Sequence, residues 1–79
     1  MLQISSRPLV VGSVGPDVQF FQGISNRVAG TELALDGRYG PATRTAIENW
    51  QRFFGLYVDG KCGEHTQTSM IQVSLAAGK

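Results

Sequence analysis

Three segments of the chain carry apolar residues at helical spacing, and a glycine-bearing turn precedes each of them. In the middle segment Ala46, Ile47, Trp50 and Phe54 recur one, three and four positions apart, which is one face of a helix. Pro41 stands where that face begins, and proline suits the first turn of a helix because the N–H it lacks would have no partner there. Gly55 supplies a stop, so the pattern predicts a helix over about 41–54. Upstream, Val18, Phe21, Ile24 and Val28 predict a helix from about Pro16 to Ala29, ended by Gly30, with the charge of Asp17 set against the positive start of the helix. Phe20 falls off this stripe and is expected to be partly exposed. Gly23 lies in mid-helix, where glycine costs about 1 kcal/mol relative to alanine, and is expected to admit another backbone. Downstream, a third helix is predicted from about Glu64 to Leu75, with Met70, Ile71 and Val73 or Leu75 turned inward.

The turns repeat as closely as the helices do. Leu35-Asp36-Gly37-Arg38-Tyr39-Gly40-Pro41-Ala42-Thr43 returns 23 residues later as Val58-Asp59-Gly60-Lys61-Cys62-Gly63-Glu64-His65-Thr66, with Asp, Gly, Gly and Thr in register. Aspartate bonds its own backbone in such a turn and glycine takes the positive φ. A weaker copy, Gly12-Ser13-Val14-Gly15-Pro16-Asp17-Val18, leads into the first helix. Self-similarity of this kind points to one supersecondary unit used repeatedly. Leu33 and Leu35 are expected to tuck inward, Leu56 and Val58 to fold back, and the run Leu9-Val10-Val11 to pack under the helices. Thr43 is placed to bond a backbone group in the first turn of its helix. The Asp-Gly loops should pack on the helices and include a turn of 3₁₀ helix. The predicted architecture is all-α: a small three-helix bundle with Asp-Gly loops, spanning 8–76, with a flexible N-terminal arm at 1–7 and a fraying tail at 77–79.

Composition narrows the class. With 79 residues there is room for one domain and a small core. A hydrophobic fraction of 42% against 16% charged residues fits a folded globule. The net charge of +1 argues against a broad electrostatic grip on nucleic acid or on an acidic membrane surface. No run approaches the ~18 apolar residues of a membrane span, and Met1 to Pro8 lacks the basic and apolar regions of a secretory signal. The expectation is therefore a protein carried to its place of action by a particle or by lysis. With the single Cys62 no intramolecular disulfide forms, and this residue is expected to be a small, semi-buried turn residue.

Catalysis is poorly supplied. The acids are Asp17, Glu32, Asp36, Glu48, Asp59 and Glu64, and the one matched pair, Asp36 and Asp59, is committed to its own turns. A glycosidase needs two carboxylates across a cleft. A hydrolytic triad would have His65 alone as base, and Cys62 with His65 makes half of a zinc site. The reading is of no enzyme, no cofactor and no metal.

The ordered set Gly12-Ser13-x-Gly15-x-Asp17-Val18-x-x-Phe21-Gln22, Asp36-Gly37-x-Tyr39-Gly40-x-x-Thr43-x-x-Ala46-Ile47-x-x-Trp50-Gln51-x-x-x-Gly55-Leu56 and Asp59-Gly60-x-x-Gly63-x-x-Thr66 resembles the peptidoglycan-binding domain, the three-helix module of many bacterial and phage cell-wall hydrolases. The likeness runs from about Pro8 to Leu75. It implies a non-catalytic module that binds the glycan or stem peptide of peptidoglycan at the turn-rich edge beside the second helix, anchoring a phage particle or lytic machinery to the wall. The polar and aromatic residues at that edge are Arg38, Tyr39, Arg44, Tyr57, Lys61 and Gln67. Arg38, Tyr39, Arg44, Tyr57 and Lys61 are taken as ligand-binding, the cations for stem carboxylates. Tyr39 has a second reading, because the family position packs an aromatic inward. Trp50, on the apolar stripe, is read as core. Phe20, Gly23, Ser25, Phe53, Phe54 and Gln67 depart from the family pattern: a leucine is expected near Ser25 and an aromatic is frequent at Gln67. Surplus exposed aromatics mark protein contacts, so Phe20, Phe53 and Phe54 support an alternative, a structural docking component of a phage virion or tail-like assembly. A pro-domain for a metalloprotease, a fold relative, is a weaker third reading.

Overall fold

The computed structural model describes Ser5 and residues 7–77. Helix α1 spans Pro16–Ile24 and continues as a π-helical turn, Ser25–Ala29; α2 spans Pro41–Phe53 and α3 spans Glu64–Ala77. Pro16 and Pro41 occupy the first helical turns of α1 and α2, and Gly30 and Gly55 follow the helix ends with φ of 73° and 71°, as expected for left-handed stops. The described residues contain three helices and no strand; Leu9 with Cys62 and Val14 with Arg38 form isolated antiparallel bridges.

The core joins Val18, Phe21 and Ile24 of α1, Ile47 and Trp50 of α2, and Met70 of α3. Leu9, Tyr39 and Cys62 complete it from the loops, so the turns are part of the core rather than a covering. Trp50 is core, and its indole N–H donates to Ser69. Phe20 is half-buried and packs edge-on against Phe21.

Several expectations are corrected. Leu35 is 52% exposed, whereas Leu33 is half-buried, because the chain at Leu35 is held by its carbonyl, which accepts from Gln19 Nε2. Of Val73 and Leu75, Val73 packs against the core and Leu75 is exposed; Ser74, bonded by Arg27, takes the buried position between them. Cys62 is fully buried, not semi-buried, since its backbone pairs with Leu9 inside the core. A Cβ added at Gly23 would meet nothing within 4 Å, so no backbone approaches there. Thr43 accepts from the side chain of Gln22, not from a backbone group. No 3₁₀ turn occurs among the described residues. The arm expected over 1–7 falls mainly outside the described residues, but Ser5 and Arg7 are described and bonded to Asp17.

Ser25, where a leucine was expected, is buried and exchanges a hydroxyl bond with Thr31, while Asn26 bonds Leu33 through both backbone groups. These bonds fix the loop that leaves the π-helical turn. Such turns relax the helical ladder by one residue.

Candidate functional site

Each Asp-Gly turn closes around its own aspartate and is then clasped by a glutamine from the preceding helix. In the second repeat the Lys61 N–H donates to Asp59 Oδ1 at 2.9 Å. Gln51 of α2, 1% exposed, points its amide nitrogen at Asp59 Oδ1 (3.0 Å), the Lys61 carbonyl (2.9 Å) and Thr66 Oγ1 (3.0 Å). Its amide oxygen accepts the N–H groups of Asp59 and Gly60. The first repeat is built alike: Arg38 N–H donates to Asp36, while Gln22 of α1 reaches Asp36, the Arg38 carbonyl and Thr43, and accepts from Gly37 N–H. A glutamine is required because the clasp needs a donor and an acceptor at the end of one side chain. No buried side-chain nitrogen or oxygen is left unpaired among the described residues.

These bonds set the acidity of the aspartates. The Arg38 N–H holds Asp36 below the usual carboxylate range. Burial pushes Asp59 up, but the Lys61 N–H and the Gln51 amide outweigh it and leave the group low. Both stay ionised at neutral pH, in structural roles.

Two grooves flank this framework. One, of about 370 Å³, lies between the Asp59 turn and the start of α3 and is lined by Tyr57, Asp59, Lys61, Glu64 and His65, with Gln51 and Thr66 below. Tyr57 is 85% exposed and therefore offers its ring to solvent. The other, of about 450 Å³ and more apolar, runs between the π-helical turn and α2, past Val28, Thr31, Ala46, Asn49 and Trp50, with Phe53 and Phe54 at one side. Phe54 stacks on Trp50 with centroids 4.7 Å apart, while Phe53 is 82% exposed.

The structure brings Tyr57 and Lys61 together on the first groove. Arg44 lies against the same turn, folded over Gly60 and paired with Glu48 at 3.1 Å. Arg38 is exposed on the other Asp-Gly turn. Tyr39 does not belong to a ligand surface: it is 3% exposed and its hydroxyl donates to the Gly60 carbonyl, tying the two turns together. Burial accordingly raises its pKa. Gln67 is buried too, its amide donating to the Cys62 carbonyl. Glu64 and His65 line the groove although neither was singled out as a ligand residue; their place at the head of α3, just past the turn, is the signal that could have found them. Among the described residues no group of three His, Cys, Asp or Glu side chains could hold a metal ion, and no helix is long and apolar enough to cross a membrane.

Residues 14–70 match the family described as "Putative peptidoglycan binding domain", which is most of the chain. The chain belongs to this family. The solved SleB N-terminal domain superposes with a TM-score of 0.86 at 29% identity, covering 91% of this chain and 99% of that one. The endolysin of the Burkholderia phage AP3 superposes with a TM-score of 0.76 at 36% identity, over 81% of this chain and 24% of the endolysin. The spore cortex-lytic enzyme of Oceanobacillus iheyensis (strain DSM 14371) is 31% identical over 70 residues, which is 89% of this chain and 25% of the enzyme. The chain spans a quarter or less of the curated relatives it matches. It is thus a peptidoglycan-binding domain of the kind found in lytic enzymes, and its place of action is the cell wall.

Proposed function

We propose that the chain is a non-catalytic module that binds the glycan or stem peptide of peptidoglycan in the groove at the Asp59 turn and holds a phage particle or lytic machinery at the wall. The observation that carries this reading is the pairing of Tyr57 and Lys61 on one polar groove, in a chain whose family is peptidoglycan-binding. An exposed tyrosine ring gives a flat apolar face for a sugar or an alkyl chain, and an ammonium group pairs with a stem carboxylate. Arg44 and Arg38 extend the cationic edge. The non-catalytic part is supported by what the reactive groups already do. Asp17, Asp36 and Asp59 are engaged in structural hydrogen bonds. Cys62 is sealed in the core, where burial pushes its thiol up to about 12.

Co-sedimentation with purified insoluble sacculi tests the reading. The wild-type chain is expected to sediment, Tyr57→Ala and Lys61→Ala each to weaken binding about tenfold, roughly 1.4 kcal/mol, and Arg38→Ala with Arg44→Ala to weaken it less. Binding unchanged in Tyr57→Ala, Lys61→Ala would remove the ligand from this groove.

A second reading, a docking component of a phage virion or tail-like assembly, is favoured by Phe53. Phe53 touches Phe54 edge-on but keeps most of its ring open to solvent beside an apolar groove, which is the kind of surface that docks a partner. Phe53→Ser should leave stability within about 0.5 kcal/mol and leave sacculus binding unaltered, while assembly with other virion proteins would be lost if they dock there. A Phe53→Ser variant that assembles normally would rule out this docking face.

A further inference from the structure

The third glutamine, Gln67 of α3, clasps a segment that carries no Asp-Gly signal. Its amide oxygen accepts the Ser5 N–H at 2.7 Å, and its amide nitrogen donates to the carbonyls of Arg7 (3.1 Å) and Cys62 (2.8 Å). The geometry repeats what Gln22 and Gln51 do for the two turns. Two residues on, Leu9 is fully buried and exchanges both backbone bonds with Cys62, at 3.0 and 2.8 Å. Arg7 reaches both oxygens of Asp17 at 3.1 Å and the Val14 carbonyl at 2.8 Å, and the Ser5 hydroxyl donates to Asp17. The segment is thus fastened at three places: to α3, to the head of α1, and to the chain at Cys62.

Cys62 is the residue between Lys61 and Gly63, and both of these line the polar groove. The wall of that groove is therefore held from behind by the N-terminal segment. We infer that Ser5 and residues 7–9 form a strap that positions the Lys61–Gly63 wall of the ligand groove, with Arg7, Asp17 and Gln67 as positioning residues. The coupling rests on the reading that this groove carries peptidoglycan; the strap itself does not. The family match begins at residue 14, so it assigns no role to these positions.

The strength of the fastening is divided unevenly. An exposed ion pair such as Arg7–Asp17 is worth little alone, but here it is bidentate and supported by Ser5, and the Arg7 hydrogen bond draws Asp17 down to about 2. The buried bonds of Gln67 and the burial of Leu9 hold the rest. Opening the strap uncovers Cys62, which is otherwise inaccessible and protonated, so the thiol reports the strap without reference to any ligand.

The full chain and the variants Gln67→Leu, Arg7→Ala and Arg7→Lys are to be compared by the rate of Cys62 modification with an aromatic disulfide reagent, by helical circular dichroism, and by co-sedimentation with sacculi. Gln67→Leu and Arg7→Ala are expected to keep their helices, to react at least tenfold faster at Cys62, and to bind sacculi at least threefold more weakly. Arg7→Lys, which keeps the charge, is expected to lie between Arg7→Ala and wild type in both readouts. Should Gln67→Leu fail to fold, the two Arg7 variants decide. Unchanged thiol protection in folded variants would overturn the strap. Faster modification with undiminished binding would overturn its positioning of the groove. A wild-type chain that does not sediment would overturn the peptidoglycan reading and the coupling with it, while the thiol rates still judge the strap.

Discussion

Replacing Gln51 with leucine will destabilise the domain by about 3 kcal/mol, even though leucine is closely similar in size and the site is buried. The side chain carries four hydrogen bonds to the Asp59 turn and a fifth to Thr66 at the head of α3. A leucine leaves the Gly60 N–H, the Lys61 carbonyl and the Thr66 hydroxyl without their partner, and each buried group left unpaired costs about 1–3 kcal/mol. The adjacent groove admits water to part of this set, which holds the sum near the lower end. A chain of 79 residues has a total stability of roughly 4–12 kcal/mol at about 0.05–0.15 kcal/mol per residue. The loss is thus a large share of it and corresponds to a fall in Tm of more than about 10 °C. Guanidinium denaturation of wild type, Gln51→Leu and Gln22→Leu checks the estimate. Gln22→Leu should cost a similar amount, because the Gly37 N–H, the Arg38 carbonyl and Thr43 depend on it in the same way. A loss below about 1 kcal/mol in both would mean that water replaces the amide at little cost, and that the clasp is not what holds the turns.

The clasp also explains how far the sequence could be read. The three helices and their Asp-Gly turns were legible because helical periodicity, Pro at the first turn and Gly at the stop are local signals. The repeat of Asp, Gly, Gly and Thr over 23 residues carried the turns. The glutamines that follow Phe21 and Trp50 were visible as part of the family pattern, but their targets were not, since each bond crosses 8 to 21 residues of chain. Thr43 was misassigned for that reason: its partner lies on another helix. Leu33 and Leu35 have equal hydrophobicity and differ only in which one the loop turns inward. Tyr39 could be read either as core or as a ligand platform, and its hydroxyl bond to Gly60 is a contact between two turns that no spacing reveals. The strap was the least visible feature. Gln67 stands among the polar residues of the turn-rich edge at a position where an aromatic is frequent, and Ser5 and Arg7 carry none of the turn signals of the other two clasped segments. The grooves, likewise, depend on loops whose mutual placement is tertiary.

Gly37→Ala is expected to cost about 3 kcal/mol, and to cost more than Gly60→Ala, although the two glycines occupy matched positions in the repeat. Both have φ near 70°, where a side chain costs about 1–2 kcal/mol. What lies beyond the missing Cβ differs. At Gly37 it would come within 2.9 Å of the Gly15 carbonyl oxygen, which is backbone. That backbone is pinned by the Gly15 N–H bond to the Gly37 carbonyl and the Tyr39 N–H bond to Ser13. At Gly60 the Cβ would come within 2.7 Å of Arg44 Nε, part of a flexible, half-exposed side chain that swings away at the loss of its Glu48 pair, worth about 0.3–0.5 kcal/mol. Gly55, at φ 71° with nothing within 4 Å, isolates the backbone cost and should lose about 1 kcal/mol on conversion to alanine. Denaturation of the three variants should therefore rank Gly37→Ala above Gly60→Ala above Gly55→Ala. Measured in an Arg44→Ala background, Gly60→Ala should fall to the Gly55→Ala value, because the obstructing side chain is gone; Gly37→Ala should be indifferent to Arg44. Equal costs at Gly37 and Gly60 would show that the backbone at Gly15 yields as readily as an arginine side chain, and the contact between the first two turns would then be a loose one. The expected inequality instead makes the Gly15–Gly37 contact the rigid joint of the fold. At Gly60 it is the Arg44 side chain that gives way, while the turn's own backbone stays bonded to Gln51 and Tyr39.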